Sequence, residues 1–275
     1  MIPSRSARGL LLALCLTVVA PEAALAQEPF QPQVGQAGKD VVWVPTPEVL
    51  VEKMLVMAKV TPQDFVVDLG SGDGRNVIAA AKRGARAVGV EYNPDMVALS
   101  RRLAAENGVS ETATFVQGDM YEADFSKASV LALFLLPSNM NQLRQKFFNL
   151  RAGTRIVANT FGIEGWEPDD TDEVVSEYCS SWCTALLWIV PAKVAGTWRL
   201  PSGDDFTLQQ EFQVVSGTMD AGGASAGITS GRLNGDQIRF LVGDAEYRGR
   251  VSGDTMEGTV TLAGRQEKWT ATRSR

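Results

Sequence analysis

The feature that most constrains this chain is the run Val66-Val67-Asp68-Leu69-Gly70-Ser71-Gly72-Asp73-Gly74-Arg75. A β-branched apolar stretch meets a G-x-G-x-G turn, and a helix-compatible segment follows. A parallel α/β sheet uses this arrangement to bring bare backbone against a nucleotide-like ligand at a helix start. Glycine reaches positive φ and lacks the Cβ that would hold a ligand away. A dinucleotide fingerprint, G-x-G-x-x-G, needs glycine at position 75, where this chain has Arg75. The shorter loop suits a ligand with no pyrophosphate to cradle. Glu91, in Val88-Gly89-Val90-Glu91-Tyr92, ends the next apolar run and can accept both hydrogens of a ribose diol.

From Asp64 onward strand and helix patterns alternate. Strands are expected at 64–70, 87–92, 113–118 and 154–161, with helices at 75–83, from Pro94 to near Gly108, and at 139–150. Val130 to Leu136 is wholly apolar, as a central parallel strand buried on both faces requires. Two helix starts are marked: Thr46-Pro47-Glu48, with threonine as N-cap, and Asn93-Pro94-Asp95. Further on, Val174–Cys179 and Cys183–Val190 read as two strands around a three-residue loop, a hairpin over 173–190. That loop would bring Cys179 and Cys183 within bridging distance. Two readings stand, a disulfide or two free buried thiols. Zinc is a poor fit, because two thiols in a chain with no histidine cannot complete its shell.

After Pro191 helical periodicity ends and glycine becomes frequent. Gly217, Gly235 and Gly253 recur at a spacing of 18, each in a hairpin-turn context. Residues 193–275 are expected to form an antiparallel meander of about six or seven strands, a small barrel or half-barrel.

The amino terminus has a different character. Arg5 and Arg8 precede an apolar run from Leu10 to Ala20, and Ala24-Leu25-Ala26 supplies small residues before a cleavage point. Residues 1–26 therefore read as a secretory signal peptide cut between Ala26 and Gln27, and 27–40 as a flexible leader. The run is too short to span a bilayer, and no transmembrane helix is expected in the mature chain. The destination is the periplasm or beyond, or the cytoplasm if the signal is not used. With a net charge of −6, no basic surface for nucleic acid is expected.

Together these residues resemble class I S-adenosylmethionine-dependent methyltransferases. Asp119, in Val116-Gln117-Gly118-Asp119-Met120, supplies the third acid of a series Asp68–Glu91–Asp119 at successive strand ends. The resemblance covers residues 41–192. It implies an α/β fold, a Rossmann-like seven-stranded sheet with helices on both faces, closed by the 173–190 hairpin as an antiparallel pair. The small β domain follows it. It implies S-adenosyl-L-methionine as cofactor, with the backbone of Gly70, Ser71, Gly72 and Gly74 facing its methionine part. Asp68 would lie near the amino group and Thr46 near the carboxylate. Glu91 would hold the ribose, Tyr92 would lie beside the adenine, Asp119 would accept from the adenine amino group, and Met120 would lie alongside.

No metal is implied and no catalytic base can be named, although Ser138 or Asn139 could orient an acceptor amine. The [DN]-P-P-[YF] motif of many amide- and nucleobase-nitrogen methyltransferases is replaced by Leu135-Leu136-Pro137-Ser138-Asn139. That segment, with Trp43-Val44-Pro45-Thr46-Pro47, is similar to bacterial relatives of small protein-lysine methyltransferases, including those of mitochondrial inner-membrane proteins. The expected function is methyl transfer to a protein, with lysine as one target, or to a small molecule. The alternative is an exported cofactor-binding or interaction module without turnover.

Overall fold

The computed structural model describes Met1 and residues 30–274; the expected signal peptide lies outside the described residues apart from Met1. Residues Gln31–Arg275 form one compact unit. Its first half alternates as the sequence pattern requires: α1 Glu48–Met57, β1 Phe65–Leu69, α2 Arg75–Lys82, β2 Arg86–Glu91, α3 Pro94–Glu106 and β3 Ala113–Gln117. Then come β4 Val130–Leu133, α4 Pro137–Phe148, β5 Arg155–Asn159, β6 Asp170–Glu173 and β7 Thr184–Ile189. These strands make one seven-stranded sheet in the order β3-β2-β1-β4-β5-β7-β6. The pairs from β3 through β5 are parallel, and β7 runs antiparallel to both β5 and β6. The order reverses between β1 and β4, so the crevice of the sheet opens at the carboxyl ends of these two strands.

Strand alternation splits the core. Val66, Ala87, Ala113, Val130 and Val157 meet α1, α2 and α3 on one face. Val67, Leu69, Leu131, Leu133 and Ile156 meet Met140, Leu143 and Phe147 of α4 on the other. Leu50, Met54 and Leu55 of α1 are fully buried, each contributing about 2 kcal/mol by removal from water.

Several local expectations need correction. Asn93 does cap α3, its side chain accepting from Asp95 N–H at 2.9 Å. Thr46 does not cap α1: the helix begins after Pro47 with no side-chain cap, and Thr46 is buried against Asn159. Val130 to Leu136 is a strand only as far as Leu133; Leu136 then precedes the first turn of α4, which starts at Pro137. The first arm of the expected hairpin is displaced upstream. Acidic Asp170–Glu173 pairs with β7, whereas Val174–Cys179 is a loop. Cys179 and Cys183 are bridged, with Cα atoms 5.8 Å apart.

The second half is a closed eight-stranded antiparallel barrel, ordered β10-β11-β12-β13-β14-β15-β8-β9. Its strands are β8 Gly196–Arg199, β9 Asp205–Glu211, β10 Val214–Ala221, β11 Ala224–Asn234, β12 Gln237–Val242, β13 Ala245–Ser252, β14 Thr255–Leu262 and β15 Arg265–Arg273. Inward-facing Trp198, Phe206, Phe240, Met256 and Trp269 fill the interior. Gly235 and Gly253 sit in turns as expected, but Gly217 lies within β10 at an irregularity of register. A Cβ there would stand 1.9 Å from the Thr207 carbonyl oxygen. The barrel packs where β5 begins and β7 ends, through Ala192 N–H to the Gly235 carbonyl (2.8 Å) and Arg232 to Asp169 (2.8 Å). That is the opposite end of the sheet from Gly70. No helix among the described residues is long and apolar enough to cross a membrane.

Candidate active site

At the carboxyl ends of the parallel strands lies a cavity of about 200 Å³. Its walls follow the sheet order. Gly118, Asp119 and Met120 come from the end of β3, Glu91 and Tyr92 from β2, and Gly70 from β1. Phe134, Leu135 and Leu136 follow β4, Phe161 follows β5, and Trp182 precedes β7. A hairpin formed by residues 33–43 completes the walls, held by Gly35 N–H to the Trp43 carbonyl (2.8 Å) and an Ala37–Val42 bridge. Most of this segment falls in the expected flexible leader; Trp43 anchors it by laying its indole on Gly72.

The glycine loop behaves as its sequence demands. Gly70, Gly72 and Gly74 all have positive φ, at 70°, 55° and 82°. A Cβ on Gly72 would be 2.7 Å from Trp43 Nε1, and one on Gly74 would be 2.5 Å from Phe115 Cε1. Arg75, the residue that breaks the dinucleotide pattern, pairs with Asp73 at 2.5 Å and donates to the Thr46 carbonyl at 2.6 Å. It thereby clamps the chain ahead of α1 to the loop. Glu91 fixes the other side, one oxygen accepting from Gly72 N–H and the other from Asn93 N–H, both at 2.9 Å. Each oxygen keeps a further lone pair for a ligand hydroxyl.

Of the ten residues expected around the cofactor, Gly70, Glu91, Tyr92, Asp119 and Met120 line the cavity. Thr46, Asp68, Ser71, Gly72 and Gly74 do not line it. Asp68 is buried and accepts from Asn76 Nδ2 at 3.1 Å. Burial, above all, pushes its carboxyl well above the usual range, with Asn76 opposing and the nearby Glu91 and Asp73 charges adding to the rise. Asp119 is paired with Lys39 at 2.7 Å. The Lys39 ammonium and the Tyr121 amide hold its carboxyl below the usual range, and Asp119 in turn raises the Lys39 ammonium. Lys39 also sits 5.3 Å from the Tyr92 ring centroid. Asn139 is buried, donating to Tyr121 Oη at 2.6 Å, and Ser138 is exposed; neither lines the cavity.

Among the described residues six buried side-chain polar atoms lack partners. Ser71 Oγ, Asn76 Oδ1, Asn139 Oδ1, Asn159 Oδ1 and Thr160 Oγ1 lie on the strand ends of this edge and the helix starts that follow them, and Trp166 Nε1 stands apart from it. Unpaired buried acceptors are costly in isolation and concentrate where function requires them. Two accepting carboxylates at the ends of β2 and β3, an open glycine at β1 and an apolar half beyond it form an arrangement that fits an adenosine-bearing sulfonium.

Comparison with known proteins agrees. A protein-lysine N-methyltransferase of Saccharolobus islandicus (strain REY15A) is 42% identical over 137 residues, covering 49% of this chain and 85% of that protein. The chain belongs to the class I S-adenosylmethionine-dependent methyltransferases. A family model for the ANTKMT methyltransferase domain matches residues 68–170. The adenine nucleotide translocase lysine N-methyltransferase of Mus musculus is 36% identical over 120 residues, but the match covers 43% of this chain and only 52% of that relative. A solved structure described as an RNA methyltransferase from Salinibacter ruber, in complex with S-adenosyl-L-homocysteine, is 42% identical with a TM-score of 0.51. It is matched over 55% of this chain and 96% of that one. The cofactor of this methyltransferase is S-adenosylmethionine.

Lys39, Trp43, Phe134, Phe161 and Trp182 also line the cavity, although no sequence pattern marks them as cofactor residues. Two of them carry a weaker signal: Trp43 opens the segment that resembles lysine methyltransferases, and Trp182 lies between the two cysteines.

Proposed function

We propose that this methyltransferase transfers methyl groups to lysine side chains of a protein, and that it does so after export. One observation carries the lysine reading: a single row of strand ends holds carboxylates in one half and apolar and aromatic groups in the other. Glu91 and Asp119 stand at β2 and β3; Phe134, Leu136, Phe161 and Trp182 stand beside β4, β5 and β7. The two relatives described as lysine methyltransferases support the same acceptor.

S-adenosylmethionine, when bound, supplies a methyl group already activated by its sulfonium, so no general acid is required. The chain's task is to position donor and acceptor. Glu91 binds and orients through its free lone pairs while its other contacts keep the glycine loop in place. Asp119 offers an acceptor at the far end, with Tyr92 and Met120 beside it. The cavity residues at the β4, β5 and β7 ends include no carboxylate, so an amine entering there is desolvated among apolar and aromatic groups, which favours its neutral, nucleophilic form. With no histidine in the chain and no carboxylate at the β4, β5 and β7 ends, the amine releases its proton to solvent at the cavity mouth before it attacks the methyl group.

An RNA acceptor is less well supported. Among the described residues Lys39 is the only basic one lining the cavity, it is already paired with Asp119, and the chain is acidic overall. Titration with S-adenosylhomocysteine followed by transfer of labelled methyl groups into envelope extract tests the proposal. Heat of binding and label recovered as methyl-lysine are expected. No binding, or label found only in nuclease-sensitive material or small molecules, would overturn it. Export is tested separately by fusing residues 1–40 to alkaline phosphatase; an inactive fusion would place the enzyme in the cytoplasm.

A further inference from the structure

The acceptor half of the cavity ends in an aromatic wall of unusual construction. Phe134 and Phe161 stack with centroids 6.1 Å apart and planes 12° from parallel, and Trp182 tilts against Phe134 at 6.2 Å. Two of these rings depend on strained backbone. Trp182 itself has φ +55°, and Thr160, immediately before Phe161, has φ +58°. Side chains other than glycine rarely occupy this region, and such residues persist where the surroundings over-determine them, often at functional sites.

The surroundings here are covalent. Trp182 lies inside the five-residue loop closed by Cys179–Cys183, and Val174 N–H donates to the Cys183 carbonyl at 2.8 Å to close its base. Thr160 N–H donates to the Thr184 carbonyl at 2.7 Å, tying the Phe161 segment to the same loop. Trp182 nevertheless remains 45% exposed. Burying its own surface therefore does not explain its placement at the cavity rim.

We propose that Trp182 is a specificity-determining residue of the acceptor mouth, receiving an alkylammonium side chain on its π face together with Phe134, and that the Cys179–Cys183 disulfide is the positioning device that holds it there. The inference rests on the methyl-transfer reading above and adds the group that selects the acceptor and the bond that keeps it in place. Aromatic faces attract cations through the ring quadrupole and are well suited to methylated ammonium. At the exposed rim Trp182 meets the lysine while it is still charged. The proton is lost as the amine leaves water for the apolar half, where methyl transfer restores a cation that the wall again favours. The carboxylates that line the cavity belong to Asp40, Glu91 and Asp119, of which the last two stand at the β2 and β3 ends.

The test uses the whole protein saturated with S-adenosylhomocysteine. The probe is n-butyltrimethylammonium, the permanently charged image of a trimethylated lysine side chain, compared with its uncharged tert-butyl analogue. The wild type should prefer the cation. Trp182→Phe should stay within about two-fold, whereas Trp182→Ala should bind the cation roughly five- to twenty-fold more weakly and lose the preference. The double variant Cys179→Ser, Cys183→Ser, and wild type in dithiothreitol, should behave as Trp182→Ala does. S-adenosylhomocysteine affinity should be unchanged throughout, which a general loss of structure would not allow. Cation binding by Trp182→Ala equal to wild type overturns the proposal; wild-type binding by the serine pair overturns the role of the disulfide. Failure of the wild type to bind S-adenosylhomocysteine would instead sink the methyl-transfer reading itself.

Discussion

Lys39 occupies Asp119, the carboxylate that the resemblance assigns to the adenine amino group. Its Nζ lies 2.7 Å from Asp119 Oδ2 and 3.3 Å from Asp40, with the Tyr92 ring below it. If the adenine amino group donates to Asp119, it competes with this ammonium for the same oxygens. The pair is solvent-exposed, so the competition is weak and salt-sensitive. Lys39→Met should therefore tighten S-adenosylhomocysteine binding by a few-fold at low ionic strength. Wild-type affinity should also rise as salt is added, while the variant's changes little. Calorimetric titration at two salt concentrations measures both. Weaker binding by the variant would show instead that Lys39 closes over the ligand as part of its site.

Asp64, just ahead of β1, shows how one residue registers three strands. Its carboxylate accepts from Ser129 Oγ at 2.7 Å, beside β4, and from Thr61 N–H at 2.8 Å, and it pairs with Arg155 of β5. Burial would raise its pKa, but the Ser129 hydroxyl, the Thr61 amide and the Arg155 guanidinium outweigh it and hold the group below the usual range. A carboxyl whose folded pKa is depressed stabilises the protein above its unfolded pKa and loses that contribution as pH falls through the folded value. Asp64→Asn should cost about 1–2 kcal/mol at neutral pH. The gap between the two thermal unfolding curves should narrow below about pH 4, where wild type loses the same charge. A gap constant with pH would locate the effect in shape and not in charge. The parallel half of the sheet was legible because β-branched runs, capping residues and glycine turns all signalled the same order. β6 was not, because Asp170–Glu173 is a largely exposed edge strand with no apolar alternation. The apolar, β-branched Val174–Cys179 segment read as a strand in its place. In the cavity, Glu91 and Asp119 were legible from strand-end positions. Trp182 and Lys39 act across contacts that no local pattern encodes; Lys39 reaches Asp119 across 80 positions of sequence.

At the scale of the molecule, the barrel is joined to the sheet at the end away from the cavity, and Phe212 is central to that joint. It sits at φ +48° in the turn between β9 and β10, stacks on Trp166 at 4.8 Å with planes 9° apart, and meets the edge of Phe148 at 5.2 Å. Beside it, Gln213 donates to the Glu167 carbonyl at 2.6 Å. Each half has its own apolar core, so the halves can unfold separately once their junction is weakened. Phe212→Ala removes a half-buried ring with two aromatic partners and should cost about 2 kcal/mol. Relief of the left-handed φ is no compensation, because alanine is strained there too. Calorimetry should show the wild-type transition broaden or divide in two, with S-adenosylhomocysteine raising only the transition of the sheet. Because the joint lies opposite the glycine loop, ligand affinity at about 25 °C should remain within about two-fold of wild type. If the ligand raised a single undivided transition in the variant, the hydrogen bonds of Ala192, Gln213 and Arg232 would suffice to couple barrel and sheet. The barrel would then stabilise the methyltransferase sheet through those bonds, without the Phe212 ring.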